Sequence, residues 1–325
     1  LIAAPSNKVD QQLMTKHLLQ FLLLIVILQS CVDRISIPEE KSGSLVLNCE
    51  AVHGSSEITA TLATSNNLNG TEPILAPEDG EIQIFAGTNF DAPYPLKYDA
   101  DRKVYKTETD LTGLWQGKSN FRIVAKLPSD LYEDVQAKVV TPAANDVIEI
   151  TATETVEATV GDDVFQGRDL TIVLAEPNVK PAFYKLRVIE KVTTAEVVNG
   201  ELVYTPTEEQ IDTEITDVLS GGAGIVNLVH RDGVLLDQSR MIDNTFSIRV
   251  NATSPKQSPD QVFNTFSIEL LSVSKDFYDY HRAKSNTISA SDGTLNEPAI
   301  WSSNIEGGFG LFSTAARSER EFQID

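Results

Sequence analysis

From Leu45 onward, apolar residues recur at every second position, and that period decides what the chain can become. Glu57–Ala63 (EITATLA) sets Ile58, Ala60 and Leu62 against polar neighbours, and Gly80–Ala86, Phe246–Asn251 and Phe263–Val273 alternate in the same way. A period of two puts one face of a strand in a core and the other in water. The strand-like runs recur at intervals of roughly 8–12 residues, separated by turn clusters, which argues for antiparallel sandwiches and against a parallel α/β sheet. Two hairpins are legible: one folds Pro95–Tyr98 onto Val104–Thr107 around Asp99–Lys103, and the other turns at Asn199-Gly200, a pair that tolerates positive φ. Leu127–Ala137 carries mixed signals and reads as a short helix or turn. Ser274–Ser285 reads as a short helix whose Phe277, Tyr278 and Tyr280 pack on a sheet. The breaker cluster Thr141–Asp146 divides two strand-rich regions. The expected architecture is therefore all-β: two tandem β-sandwich domains of immunoglobulin or transthyretin-like kind, 45–142 and 143–325.

What precedes Leu45 is of another nature. Met14–Cys31 reads MTKHLLQFLLLIVILQSC. Lys16 and His17 form a short basic region, Leu18–Leu28 is apolar except for Gln20, and Leu28-Gln29-Ser30-Cys31 has the form of a lipobox. The run is about half of the ~20 residues that a membrane-crossing helix needs, and a plain secretory signal would end in a small-x-small site. The expectation is a lipoprotein signal peptide. Residues 1–30 would be removed, the Cys31 thiol would carry a diacylglyceryl group and the new N-terminus an acyl chain such as palmitate. Leu1–Leu13 carry no targeting logic and are set aside with the signal. Residues 31–44, polar and punctuated by Pro38 and Gly43, read as a tether. Asp33, Glu39 and Glu40 lie close behind the cysteine and point to export to the cell surface.

Charge narrows the partners. The chain carries a formal net charge of −21, with its carboxylates scattered rather than blocked. Such a field repels nucleic acid and anionic headgroups, so no nucleic-acid partner is expected and membrane attachment falls to the lipid. Of the two cysteines, Cys31 is assigned to lipid. Cys49 lies in a strand-like run and reads as a small buried hydrophobe.

The sequence shows no familiar catalytic pattern. His53, His230 and His281 each look isolated, and there is no Gly-x-Ser-x-Gly elbow, His-Glu-x-x-His or Cys-x-x-Cys. No catalytic residue, no metal site and no cofactor other than the lipid are assigned. Asp99-Ala100-Asp101 and Gly161-Asp162-Asp163 could take incidental calcium, but turn chemistry accounts for both, and neither has the glycine and distal glutamate of a hand-type loop.

The C-terminal region carries the most specific pattern. Phe277-Tyr278-Asp279-Tyr280 is followed by Asn296-Glu297-Pro298-Ala299-Ile300-Trp301-Ser302-Ser303-Asn304-Ile305 and by Gly307-Gly308-Phe309-Gly310-Leu311-Phe312. This ending resembles that of a Bacteroidota lipoprotein family, domain of unknown function 4249. Glu297, between Asn296 and Pro298, departs from the family's usual Asn-Pro. The order of lipobox, tether and two strand-rich regions extends the resemblance over most of the mature chain. The resemblance implies an envelope lipoprotein beside TonB-dependent outer-membrane transport, with a β-barrel transporter as partner, and supplies no catalytic residues. Glycines at 307, 308 and 310 allow sharp turns or close approach. The ending reads as a strand that seals the second sandwich. Its alternative use is a partner-docking edge formed by Trp301, Gly307, Gly308 and Phe309.

The leading expectation is a non-enzymatic binding or accessory lipoprotein of the outer membrane or cell surface. A fimbrillin-like structural subunit ranks below it, because Arg34 lies too near Cys31 and Lys41 is a poor processing site. A sandwich-fold hydrolase ranks lowest, since it needs an acid–base pair that no local motif supplies.

Overall fold

The computed structural model describes residues 44–323, apart from 66–76, 91–92, 109–110, 116–118, 129–131, 154–155, 161–162, 181, 200, 222–224, 228–232, 252–264 and 291–301. Cys31, Trp301 and His230 lie outside the described residues, as does the lipobox. The strands are β1 (Leu45–Val52), β2 (Thr59–Thr64), β3 (Glu81–Ala86), β4 (Pro93–Asp99) and β5 (Val104–Thr107). A single helical turn, α1 (Thr112–Trp115), leads to β6 (Asn120–Lys126) and β7 (Val135–Val140). Then come β8 (Val147–Ala152), β9 (Val156–Val160), β10 (Asp163–Leu174), β11 (Phe183–Val198), β12 (Glu201–Asp212) and β13 (Glu214–Ser220). β14 (Ile225–Asn227), β15 (Val234–Asp237), β16 (Thr245–Asn251) and β17 (Thr265–Val273) precede the helix α2 (Lys275–Ala290) and the long β18 (Phe309–Gln323). The fold is all-β in its bulk. Both expected hairpins form: β4 meets β5 at Asp99 and Val104, and β11 meets β12 across Asn199, whose φ is +55°.

Three buried clusters organise these strands. The first lies inside a single curled sheet, in the order β18-β1-β2-β5-β4-β3-β6-β7. Alternate residues of each strand point inward: Leu45, Leu47 and Cys49 from β1, Ile82 and Ile84 from β3, and Phe121, Ile123 and Ala125 from β6. The sheet returns on itself where Gln136 of β7 exchanges two backbone hydrogen bonds with Glu306, at 3.2 and 2.7 Å. The second cluster lies between two sheets. Leu170, Ile172, Phe246, Ile248 and Val250 come from the β13-β16-β10-β8 sheet, and Leu186, Val188, Leu236, Ile268 and Leu270 from β11, β15 and β17. The third covers the opposite face of β11, β15 and β17, where Phe183, Leu235, Leu271 and Val273 meet Phe277, Tyr278 and Tyr280 of α2.

β18 belongs to all three. Its first half runs parallel to β1, from Val46 beside Phe309 to Val52 beside Ala315, while its second half runs antiparallel to β17, from Ser272 beside Ala316 to Thr265 beside Gln323. The β1–β18 ladder is the one parallel pairing among the described residues. Phe312 enters the first cluster, Leu311 and Ala315 the third, and Phe322 packs on the second. A cross-strand ion network ties the second half down: buried Glu269 takes Arg187 at 2.7 Å and Arg317 at 2.8 Å, and Arg317 also reaches Glu319 at 2.8 Å.

Several expectations need correction. The ending begins by closing the first cluster, not the second, because the backbone from Glu306 to Ala315 lies against β7 and β1. The helix is longer than Ser274–Ser285. Ser274 caps it, its Oγ accepting from the Phe277 amide at 3.2 Å, and the helix runs on to Ala290. The mixed segment Leu127–Ala137 ends in β7 rather than in a helix. β13, β14 and β15 are strands that alternation did not single out. In β15 all four residues are buried, so no polar face marks it.

The parallel approach of β18 to β1 demands glycine. At Gly310, φ is +115° and a Cβ would overlap the Leu47 carbonyl oxygen. At Gly54, φ is +86° but nothing lies within 4 Å of a Cβ. Gly54→Ala should therefore cost about 1 kcal/mol from backbone conformation alone, and Gly310→Ala about 3 kcal/mol or more, because β18 must also move. Urea denaturation of both variants checks this; equal costs would refute the close-approach account.

Candidate functional site

The residues expected at a docking edge do separate tasks. Gly307, at φ +81°, brings its backbone to the Asp134 carbonyl, where a Cβ would stand at 2.8 Å. Gly308 passes so close to the Leu45 carbonyl that a Cβ would overlap it. Both glycines thus serve the closure of the first cluster, and beside Gly307 lies a polar recess of about 370 Å³ between Val124, Asp134–Gln136 and Glu306. Phe309 is different: 55% of it is exposed, although it neighbours buried Leu311 by two residues. Asn304, from the same Ser-Asn-Ile run, holds this segment in place. Its Nδ2 donates to the Phe312 carbonyl at 2.7 Å and its Oδ1 accepts from the Phe312 amide at 2.9 Å. The side chain thereby pairs the β18 backbone where, among the described residues, the β17 ladder has ended and α2 has begun.

A polar cluster lies where α2 crosses β1. Asn48 Oδ1 accepts from the Leu311 amide and from the Tyr280 hydroxyl, each at 3.1 Å, and Glu50 Oε1 lies 2.8 Å from His281 Nε2. His281 is not isolated, as the sequence suggested. It is buried against Phe277, with ring centroids 4.2 Å apart, and its partner is 231 residues away in sequence. Burial is the largest single influence on the Glu50 carboxyl and pushes it up, and the His281 hydrogen bond is the strongest of the influences that oppose it. Together with the charges of His281, Lys185 and Lys284, that bond holds Glu50 below its ordinary value. The pair is an acid–base couple in composition, and its placement makes it a clasp fastening α2 to β1. Cys49, next in sequence, points the other way into the first cluster, and burial followed by the Glu50 charge raises its thiol far above the ordinary range. His53 packs against Trp115, with Nε2 3.1 Å from the Trp115 carbonyl oxygen.

A second recess has a different character. A cavity of about 450 Å³ opens between the crossing segment 140–145, residues 177–179 and 182–184, and the corner where β17 passes into α2. Pro142, Ala143, Ala144, Pro177, Val179, Phe183 and Val273 make its walls apolar. At its base Asn145 Nδ2 donates to the Ala175 carbonyl at 3.1 Å and to the Tyr184 hydroxyl at 2.8 Å, while the Asn145 amide donates to Ser272 Oγ at 3.1 Å. Val140 and Val179 stand at the lining with 61% and 72% of their surface exposed. In the sequence Thr141–Asp146 reads only as a breaker. Its run of small residues, Pro142-Ala143-Ala144, was the signal that a wall with open space beside it lay there.

The calcium candidates divide. Asp99 Oδ1 accepts from the backbone amides of Asp101 and Arg102 at 3.1 and 3.2 Å, and Asp99 Oδ2 pairs with Lys106 at 2.6 Å, so this carboxylate is committed to its turn. Gly161 and Asp162 lie outside the described residues. Among the described residues no three His, Cys, Asp or Glu side chains gather as metal ligands, and no helix is long and apolar enough to cross a membrane.

A family model described as Domain of unknown function (DUF4249) matches residues 33–321. The chain belongs to that family. A search of the curated proteins finds no match. The DUF4249 match takes in every element from β1 to the body of β18, including the Asn304 clamp and the glycines that close the first cluster. It also takes in the cavity at 140–145 and both residues of the Glu50–His281 clasp.

The clasp has a pH signature. Because Glu50 titrates lower in the folded chain than its ordinary value of 4.5, the unfolded state binds more protons across that interval. The contribution of Glu50 is complete above the unfolded value and fades as pH falls through the lowered folded value. The stability difference between the native chain and Glu50→Gln should be constant near neutrality and shrink below about pH 4.5. His281→Ala should abolish that pH dependence. Denaturation midpoints measured from pH 7 down to pH 3 check both, and a difference that grows on acidification would contradict the assignment.

Proposed function

We propose that this DUF4249 member is a lipid-anchored protein of the bacterial envelope that works by binding and not by catalysis. The observation that carries the reading is the junction of two signals: Leu28-Gln29-Ser30-Cys31 ends an apolar run, and the family match begins at Asp33, two residues beyond that cysteine. A mature body starting at Cys31 would leave the signal outside the family match and keep all of the match. The proposed body consists of two β modules, 45–142 and 143–325, the first a curled sheet completed by β18 and the second a sandwich.

Binding is favoured by what the surface offers. The 450 Å³ cavity is within the range of small-molecule sites, and His281, whose partner is the Glu50 carboxylate, is buried against Phe277. The proposed location is the outer membrane of a Bacteroidota cell, with acidic Asp33, Glu39 and Glu40 behind the anchor favouring its outer face. The proposed partner is a β-barrel transporter of the TonB-dependent kind. Exposed Phe309, on the strand that starts beside β1, offers it an apolar contact.

Metabolic labelling with a palmitate analogue in a bacterial host tests the anchor. The native chain should take up label and sediment with membranes, whereas Cys31→Ser should do neither. Label retained by Cys31→Ser, or a native chain that stays unlabelled, would overturn the reading. Recovery of the acylated chain from solubilised membranes should also bring down a β-barrel protein, and recovery of the chain alone would remove the transporter from the proposal.

A further inference from the structure

We propose that the cavity at 140–145, 177–179, 182–184 and 272–275 binds a neutral, mostly apolar small molecule that places a hydrogen-bond acceptor on the Tyr184 hydroxyl. This deepens the binding role proposed above and rests on it. Three observations carry it. The first is size: about 450 Å³ is far more than a stray packing void and enough for a molecule of drug-like dimensions. An apolar wall of that extent gains by being covered.

The second is an unused donor. Tyr184 is buried, lines the cavity and belongs to the second cluster. Its oxygen accepts from Asn145 Nδ2. The orientation of that amide is fixed, because Nδ2 also donates to the Ala175 carbonyl, and a turned amide would set two oxygens against each other. Asn145 therefore cannot take the Tyr184 proton through its oxygen at this contact, and no other described residue takes it. Burial, opposed by the Asn145 hydrogen bond, raises the Tyr184 phenol above its ordinary range, so it remains a donor at neutral pH. A buried donor without a partner costs free energy until an acceptor arrives.

The third is neutralised charge. Lys275, the one charged residue of the lining, pairs with Asp279 one turn along α2. Glu176, next to Pro177, is held by Lys180 and by Asn244 Nδ2 at 2.6 Å. A ligand charge would meet an apolar wall and no spare counter-ion, and burying it there would be costly.

Photolabelling of the full acylated chain in membranes tests this. The probe is a medium-chain alkyl methyl ketone carrying a diazirine, whose carbonyl supplies the acceptor. A carboxylic acid of equal length serves as the charged counterpart. The ketone should label peptides containing 140–145, 177–184 or 272–275. Val179→Trp, at an exposed position beside the cavity, should reduce that labelling on the order of tenfold while labelling near Cys31 persists; Tyr184→Phe should weaken it without closing the space. The acid should label these peptides much less than the ketone. Labelling confined to the neighbourhood of Cys31, labelling unchanged by Val179→Trp, or equal labelling by the acid would each overturn the proposal. Because the anchor is read separately, at Cys31, failure here leaves that result standing.

Discussion

The pairing of β18 with β1 is the constraint on which the rest of the body depends. A parallel ladder between an early and a late strand must be reached over a long sequence separation, and the entropy of closing that loop is recovered only by what the contact buries. β18 recovers it three times: Phe312 fills the curled sheet, Leu311 and Ala315 meet the helix, and Phe322 lies against the sandwich. The glycines and Asn304 are the local means to that end. Without side chains at 308 and 310 the strand can approach the carbonyls of β1, and without the Asn304 amide Phe312 would leave a backbone amide and carbonyl without partners in a largely buried setting.

The outward face of β1 answers a second need. A strand with water on one side could carry any polar residue there, but α2 covers this one. Asn48 and Glu50 are therefore polar residues in partly covered positions, and each has a named partner on the helix. The helix is apolar toward β11, β15 and β17 and polar toward β1. That division fixes its rotation as well as its position, since a shift of one residue would bring Tyr280 or Arg282 to Glu50 in place of His281.

How much of this could be read from the chain follows from the physics of each element. Strands with one wet face announced themselves: the hairpin at Asp99–Lys103, the turn at Asn199 and the alternation in β3 and β16 are local, and the structure places them as expected. β15, buried on both faces, lacked the contrast that alternation needs. The ending was legible as a glycine-dependent close approach but not as to which core it serves, because register between strands more than 250 residues apart leaves no local trace. The same holds for the site. His281 looked alone because Glu50 is 231 residues away, and the cavity is assembled from three segments that show nothing in common along the chain. Cys49, by contrast, was legible as a buried thiol because its neighbours in β1 already alternated.

The late position of β18 also sets a timetable. Between Leu45 and Phe312 a ribosome working at ~5–20 residues per second spends tens of seconds, and during that time the first core lacks the side chain that fills it and the bridge that shuts it. A chain built this way holds its early strands open until nearly all of it has been made. The order of strands therefore works as a lock whose closing part is made last.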